Sequence, residues 1–224
     1  MTSQRFLNLI FSALISSSAL AVQGQGIPDS ELVAQFFPQS LMDQHAADYP
    51  DLPPKKDIAF IAVDLQDTGQ ANFLIALYSI DNQDAKVRVL RRDGASTTVV
   101  DEPACKLFGT AARVSMIDLD HGLKQFLVEL TDDRGNTGAI VFRWTGSKLE
   151  PFVPAEVDQF GYAELLVAPK FRDLDGDGIL EIIEDDVMGR VKANNDEPFS
   201  YPILKLNNGK YAKIGVFEEL WYAG

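Results

Sequence analysis

The sequence predicts an all-β protein, and three observations predict it. Asp-Leu pairs begin at Asp64, Asp118 and Asp173, 54 and 55 residues apart, each inside an acidic turn. An apolar, strand-like run follows each turn, at residues 73–78, 126–130 and 179–183. Each unit then closes on alternating apolar and polar residues that run into Asp93-Gly94, Thr145-Gly146 or Asn208-Gly209. Asp-Gly and Asn-Gly suit type I′ hairpins, whose two central residues need positive φ. A four-stranded unit repeated about every 50 residues is the sequence appearance of propeller blades. The expected fold is therefore propeller-like: three four-stranded antiparallel blades at about residues 58–103, 111–154 and 167–215, with a short N-terminal helix.

Residues 1–21 read as a signal peptide: Arg5 supplies the positive charge, residues 6–20 the apolar stretch, and Ala19-Leu20-Ala21 the small-x-small cleavage signal. An apolar run of about 15 residues, interrupted by Asn8 and serines, is shorter than the roughly 20 a spanning helix needs. The expected location is thus periplasmic or extracellular, with no membrane span. Residues 22–57 form a lead-in. Asp29 or Ser30 can cap a helix carrying Leu32, Val33, Phe36 and Phe37, Pro38 limits it to about two turns, and Pro50, Pro53 and Pro54 impose an extended approach to the first strand. Residues 58–224 are the repeat domain. Within it, residues 155–166 lengthen one connection, and Phe160, Tyr162, Leu165 and Leu166 suit packing against another element.

Of the 224 residues, 33 are acidic and 20 basic, a formal charge of −13. Nucleic acid and anionic membrane surfaces carry the same sign and are disfavoured as partners. Cations are favoured. Cys105 is the only cysteine, so an internal disulfide framework is excluded, and its place in a connector fits a small buried hydrophobe.

The third turn carries the strongest chemical signal. Asp173, Asp175 and Asp177 alternate, the Ile179 carbonyl can face the same centre, and Glu181 adds a fourth carboxylate. Calcium takes six to eight hard oxygen ligands in flexible geometry, and positions 1, 3, 5, 7 and 9 of a tight loop supply them. Gly176 and Gly178 permit the sharp turn. An EF-hand is the rival, with Glu184 at its twelfth position, but Pro169 would break the entering helix and residues 179–183 favour a strand. Glu184, Asp185 and Asp186 extend the negative field and read as a solvated strand end. The other two turns are degenerate. Asp64 and Asp67 are joined by Gln66, Thr68 and Asn72 where carboxylates are expected, while Asp118 and Asp120 precede His121-Gly122 in a shorter loop. These read as structural corners. A transition-metal site at His121 lacks a second imidazole.

The Asp-x-Asp-Gly-Asp-Gly-x-x-Glu loop leading into an aliphatic strand and a hairpin resembles the FG-GAP/VCBS repeats of integrin-alpha-type β-propellers, over roughly residues 58–215. The resemblance implies an exported calcium-binding module that acts as a non-catalytic scaffold for a protein or glycan ligand. Propellers of that family commonly carry more blades. Three could form a small ring, an open arc capped by residues 28–57 and 155–166, or half of a six-bladed homodimer. The alternative function is a secreted hydrolase or glycan-active enzyme on the same scaffold. The sequence contains no Gly-x-Ser-x-Gly elbow, His-Glu-x-x-His helix or phosphate loop to support it.

Overall fold

The computed structural model describes residues 34, 36–48, 50–51, 56–80, 84–94, 96–184 and 199–219. The expected signal peptide, the helix cap at Asp29 or Ser30, and Asp185 and Asp186 lie outside them. The described residues are mostly β, with strands over 54% of them, in three antiparallel sheets none of which closes on itself.

The first sheet runs β1 (Asp57–Val63), β2 (Phe73–Ser79), β3 (Asp84–Asp93) and β4 (Ser96–Asp101) as a meander, and β5 (Leu107–Phe108) also pairs with β3. β4 pairs along Val89 to Asp93, and β5 pairs with Asp84 and Ala85. Because β2 occupies the opposite edge of β3 throughout, β4 and β5 are one outer strand in two pieces. The second sheet repeats this plan. β6 (Thr110–Ile117), β7 (Gln125–Thr131), β8 (Thr137–Trp144) and β9 (Leu149–Val153) form a meander, and β10 (Leu166–Val167) returns to pair with Gly138 and Ala139 of β8. The third sheet is β11 (Lys170–Arg172), β12 (Glu181–Ile183), β13 (Phe199–Asn207) and β14 (Lys210–Glu219).

Two sheets thus hold five strands where four were expected. Leu166 and Val167 belong to the second sheet, although the third unit was expected to begin at 167. The backbone groups of β8 beyond β9 need partners, and the returning chain provides them. The connecting segment is docked as expected at Tyr162 and Leu166, through a bridge from Lys106 to Tyr162 and burial of Leu166, and a further bridge joins Val157 to Ala163. Phe160 departs from expectation at 72% exposure, because it sits at the tip of the turn held by Asp158.

β2 is buried along its whole length. Phe73, Ile75 and Leu77 face a core shared with Val114, Phe126, Val128 and Phe142 of the second sheet. Leu74, Ala76 and Tyr78 face the other way, onto Phe36, Phe37 and Met42. Period-two alternation sends successive side chains to opposite faces, so a strand apolar at every position needs both faces covered. The N-terminal segment supplies that cover. Ala34 and Phe36 are helical, the chain bends at Phe37, and a ten-residue helix α1 (Gln39–Asp48) begins after Pro38. This second helix was not expected. Pro38 ends one helical stretch but also starts the next, its carbonyl accepting from Leu41 and Met42 at 3.0 and 3.2 Å.

A third apolar cluster joins Leu119, Val141, Phe152 and Leu166 of the second unit to Ile182, Leu204 and Tyr211 of the third. The second sheet therefore lies between the other two. Of the three hairpins, only Asn208 and Gly209 form the expected two-residue turn, with φ of 52° and 79° between paired Asn207 and Lys210. Asp93 instead pairs with Ser96 as the end of its strand, and Trp144 pairs with Leu149 across a four-residue loop.

Candidate metal centre

Each acidic turn lies between the first two strands of its sheet. In each, the first aspartate turns inward to accept backbone N–H groups of its own loop. Asp64 accepts from Gln66 at 3.1 Å and Gly69 at 2.6 Å, Asp118 from His121 at 2.7 Å, and Asp173 from Gly176 at 2.6 Å and Gly178 at 3.0 Å. Loops that run off a strand cannot satisfy these donors from the ladder, and a carboxylate side chain is the local substitute. Gly178, at φ +85°, holds the end of the third loop. A side chain there would sit in the left-handed region and 3.3 Å from His121 Nε2 of the neighbouring turn.

The strand register revises the comparison between turns. Val63 pairs with Phe73, Ile117 with Gln125, and Arg172 with Glu181. The residue of the first unit that stands where Glu181 stands in the third is thus Phe73, not Asn72, because the first loop is one residue longer. Gln125 and Glu181 are both 1% exposed and do the same structural job. Gln125 Oε1 accepts the Leu119 N–H at 2.9 Å, and Glu181 Oε2 accepts the Leu174 N–H at 2.7 Å.

In the third turn, ligand-capable oxygens of Asp173, Asp175 and Asp177 lie within 4.8 Å of one another. Ile179 follows, half-buried, its N–H donated to Asp177 Oδ1 at 2.8 Å. Glu181 reaches the same place from β12. Its Oε1 is buried and has no hydrogen-bond partner, although Lys205 Nζ stands 3.1 Å away as an ion pair. All of these side-chain donors are hard carboxylate oxygens, the kind that a hard divalent cation takes rather than a softer metal. Glu184 does not contribute. Its carboxylate accepts the Val167 N–H at 3.2 Å, and strands β11 and β12 flank the loop where an EF-hand needs helices.

Sequence reasoning missed the lysine. Lys205, on β13, places its ammonium against Asp175, 2.9 Å from Asp177 and 3.1 Å from Glu181. The carboxylates of Asp175, Asp177 and Glu181, in that order, hold the ammonium above its usual pKa. Lys205, with the Ile179 N–H, in turn holds the Asp177 carboxyl below its own. The other turns use the same device. Lys124 Nζ bonds the Asp64 carbonyl and Asp67 Oδ1 of the first turn, and Arg143, on β8, bonds Asp120 of the second at 2.7 Å. A basic residue within an otherwise apolar strand, as in Ile203-Leu204-Lys205-Leu206, was the available signal, since such a charge needs a partner.

The second and third turns are bound to each other. The Leu180 N–H donates to the Leu119 carbonyl at 2.9 Å, and the Tyr211 hydroxyl donates to the Leu180 carbonyl at 2.8 Å while stacking edge-on with Phe152. His121 is exposed and pairs through Nδ1 with Asp118 Oδ2 at 2.9 Å, which raises the imidazole pKa, first by that hydrogen bond and then by the aspartate charge. Cys105 is buried, and burial pushes its thiol up, the opposite of what a nucleophile needs. A cavity of about 420 Å³ between α1 and the first sheet is lined in part by His45, Asp48, Asp84 and Lys106. Its Asp84 is engaged by the Tyr162 hydroxyl and by Lys106 at 3.5 Å.

No known family model and no curated protein matches this chain. Among the described residues no helix is long and apolar enough to cross a membrane.

Proposed function

We propose that the chain is an exported, non-catalytic repeat module of the FG-GAP/VCBS type, an open arc of three propeller-like blades in which calcium organises the third turn. The observation that carries this reading is the convergence of Asp173, Asp175 and Asp177 with the buried Glu181, whose Oε1 has no hydrogen bond. Four carboxylates and one lysine leave a formal local charge of −3. A divalent ion offsets that charge better than the protein's own cations do. Asp173, Asp175, Asp177 and Glu181 would hold calcium, with the Ile179 carbonyl completing the loop donors, and the ion would tie β11 to β12. The helical cover over the first sheet supports an arc with a finished end rather than a ring. The apolar segment ending at Ala21 supports export. The ligand of the scaffold would be a protein or glycan.

Thermal unfolding in calcium and in chelator tests this. At 100 times its Kd, calcium adds about 2.7 kcal/mol, which for a chain of this size is roughly 5–10 °C in Tm. Asp175→Ala should abolish the calcium-dependent part of the shift. Equal Tm for the unmodified protein in calcium and in chelator would refute the calcium reading.

A further inference from the structure

Resting on the calcium reading above, we propose that Lys205 is a tethered competitor for the third-turn site, so that calcium binds only by displacing its ammonium. The geometry makes the two mutually exclusive. The ammonium already contacts Asp175, Asp177 and Glu181, the carboxylates that would ligate the ion. Calcium needs its oxygens at about 2.3–2.6 Å on all sides, and no room is left for a second cation among the same oxygens.

The lysine is built for both states. It comes from β13, outside the loop, so its departure breaks no bond of the turn itself. Asp173 stays fixed by the Gly176 and Gly178 N–H groups, and Glu181 by the Leu174 N–H. Its side chain is 23% exposed, and a flexible four-carbon stem can carry the charge to solvent while remaining packed. An intramolecular cation acts at a high effective concentration. The turn is thereby kept folded when calcium is scarce, and the threshold for calcium is raised. The first and second turns, where Lys124 and Arg143 face fewer carboxylates, are the same arrangement with too little acid left to attract an ion.

The test is calorimetric calcium titration of the unmodified protein and of Lys205→Met, with circular dichroism to check folding. The expected result is calcium affinity at least tenfold tighter in the variant; binding by the variant alone is the extreme form of the same result. A second measurement needs no variant. Acetic anhydride labelling of Lys205, read by mass spectrometry, should be slow in chelator and severalfold faster in saturating calcium. Calcium binding with equal affinity in both proteins, or with Lys205 labelling unchanged, would overturn the competition while leaving the calcium site standing. Failure of both proteins to bind calcium would overturn the site and the competition together.

Discussion

Leu65, Leu119 and Leu174 occupy the same place in three Asp-Leu pairs, but they are 6%, 0% and 50% exposed. Leu119 packs with Val141, Phe152, Leu166 and Ile182 between the second and third sheets. Leu119→Ala removes three carbons, about 2.4 kcal/mol of transfer free energy at about 0.8 per methylene. The cavity left between two sheets adds to that, and buried Leu→Ala changes cost about 2.7–5 kcal/mol in all. At about 2–4 °C per kcal/mol for a chain of this size, Tm should fall by roughly 5–20 °C. Leu65→Ala should fall in the same range, near its lower end. Leu174→Ala, half in solvent already, should stay within about 1 kcal/mol, that is, a few degrees. Thermal and urea unfolding followed by circular dichroism would rank the three. A Leu174→Ala loss as large as that of Leu119→Ala, or a Leu119→Ala protein within a degree of the original, would refute the packing between the second and third sheets.

Tyr211→Phe keeps the ring against Phe152 but removes the hydroxyl that holds the Leu180 carbonyl, and should cost about 1 kcal/mol. An unchanged urea midpoint would show that the hydroxyl carries no net stability. The His121 pKa is raised in the folded protein by Asp118. A group whose folded pKa lies above its unfolded value of about 6.5 stabilises fully below that value, and its contribution is lost as pH rises through the folded pKa. The Tm of the unmodified protein should therefore fall more between about pH 6 and pH 8.5 than that of His121→Gln. Parallel pH profiles would remove His121 from the explanation.

Local chemistry made much of the architecture legible. Period-two apolar runs, recurring Asp-Leu turns and Asn208-Gly209 depend on residues near one another in the chain, so the all-β class and the order of strands could be read directly. The third turn was legible for the same reason, since Asp173, Asp175, Asp177 and Glu181 share one loop and its closing strand. Where helix and register expectations failed, a distant partner was involved. Helix α1 is weakly patterned by itself and is explained by the apolar outer face of β1 and β2 that it helps cover. Phe73 took the place expected of Asn72 because register is set by pairing across the sheet, not by counting along a loop.

The sequence by itself determined most of the strands, where the acidic turns fall and which one is richest in carboxylate, because each follows from side chains within a few residues. Only the tertiary structure decided which of three identical leucines are buried and which lysine or arginine pairs with each turn. Those outcomes depend on side chains from different strands and sheets meeting in space, as Lys205 meets an acidic loop 28 and 30 residues before it, and no local pattern encodes such a meeting.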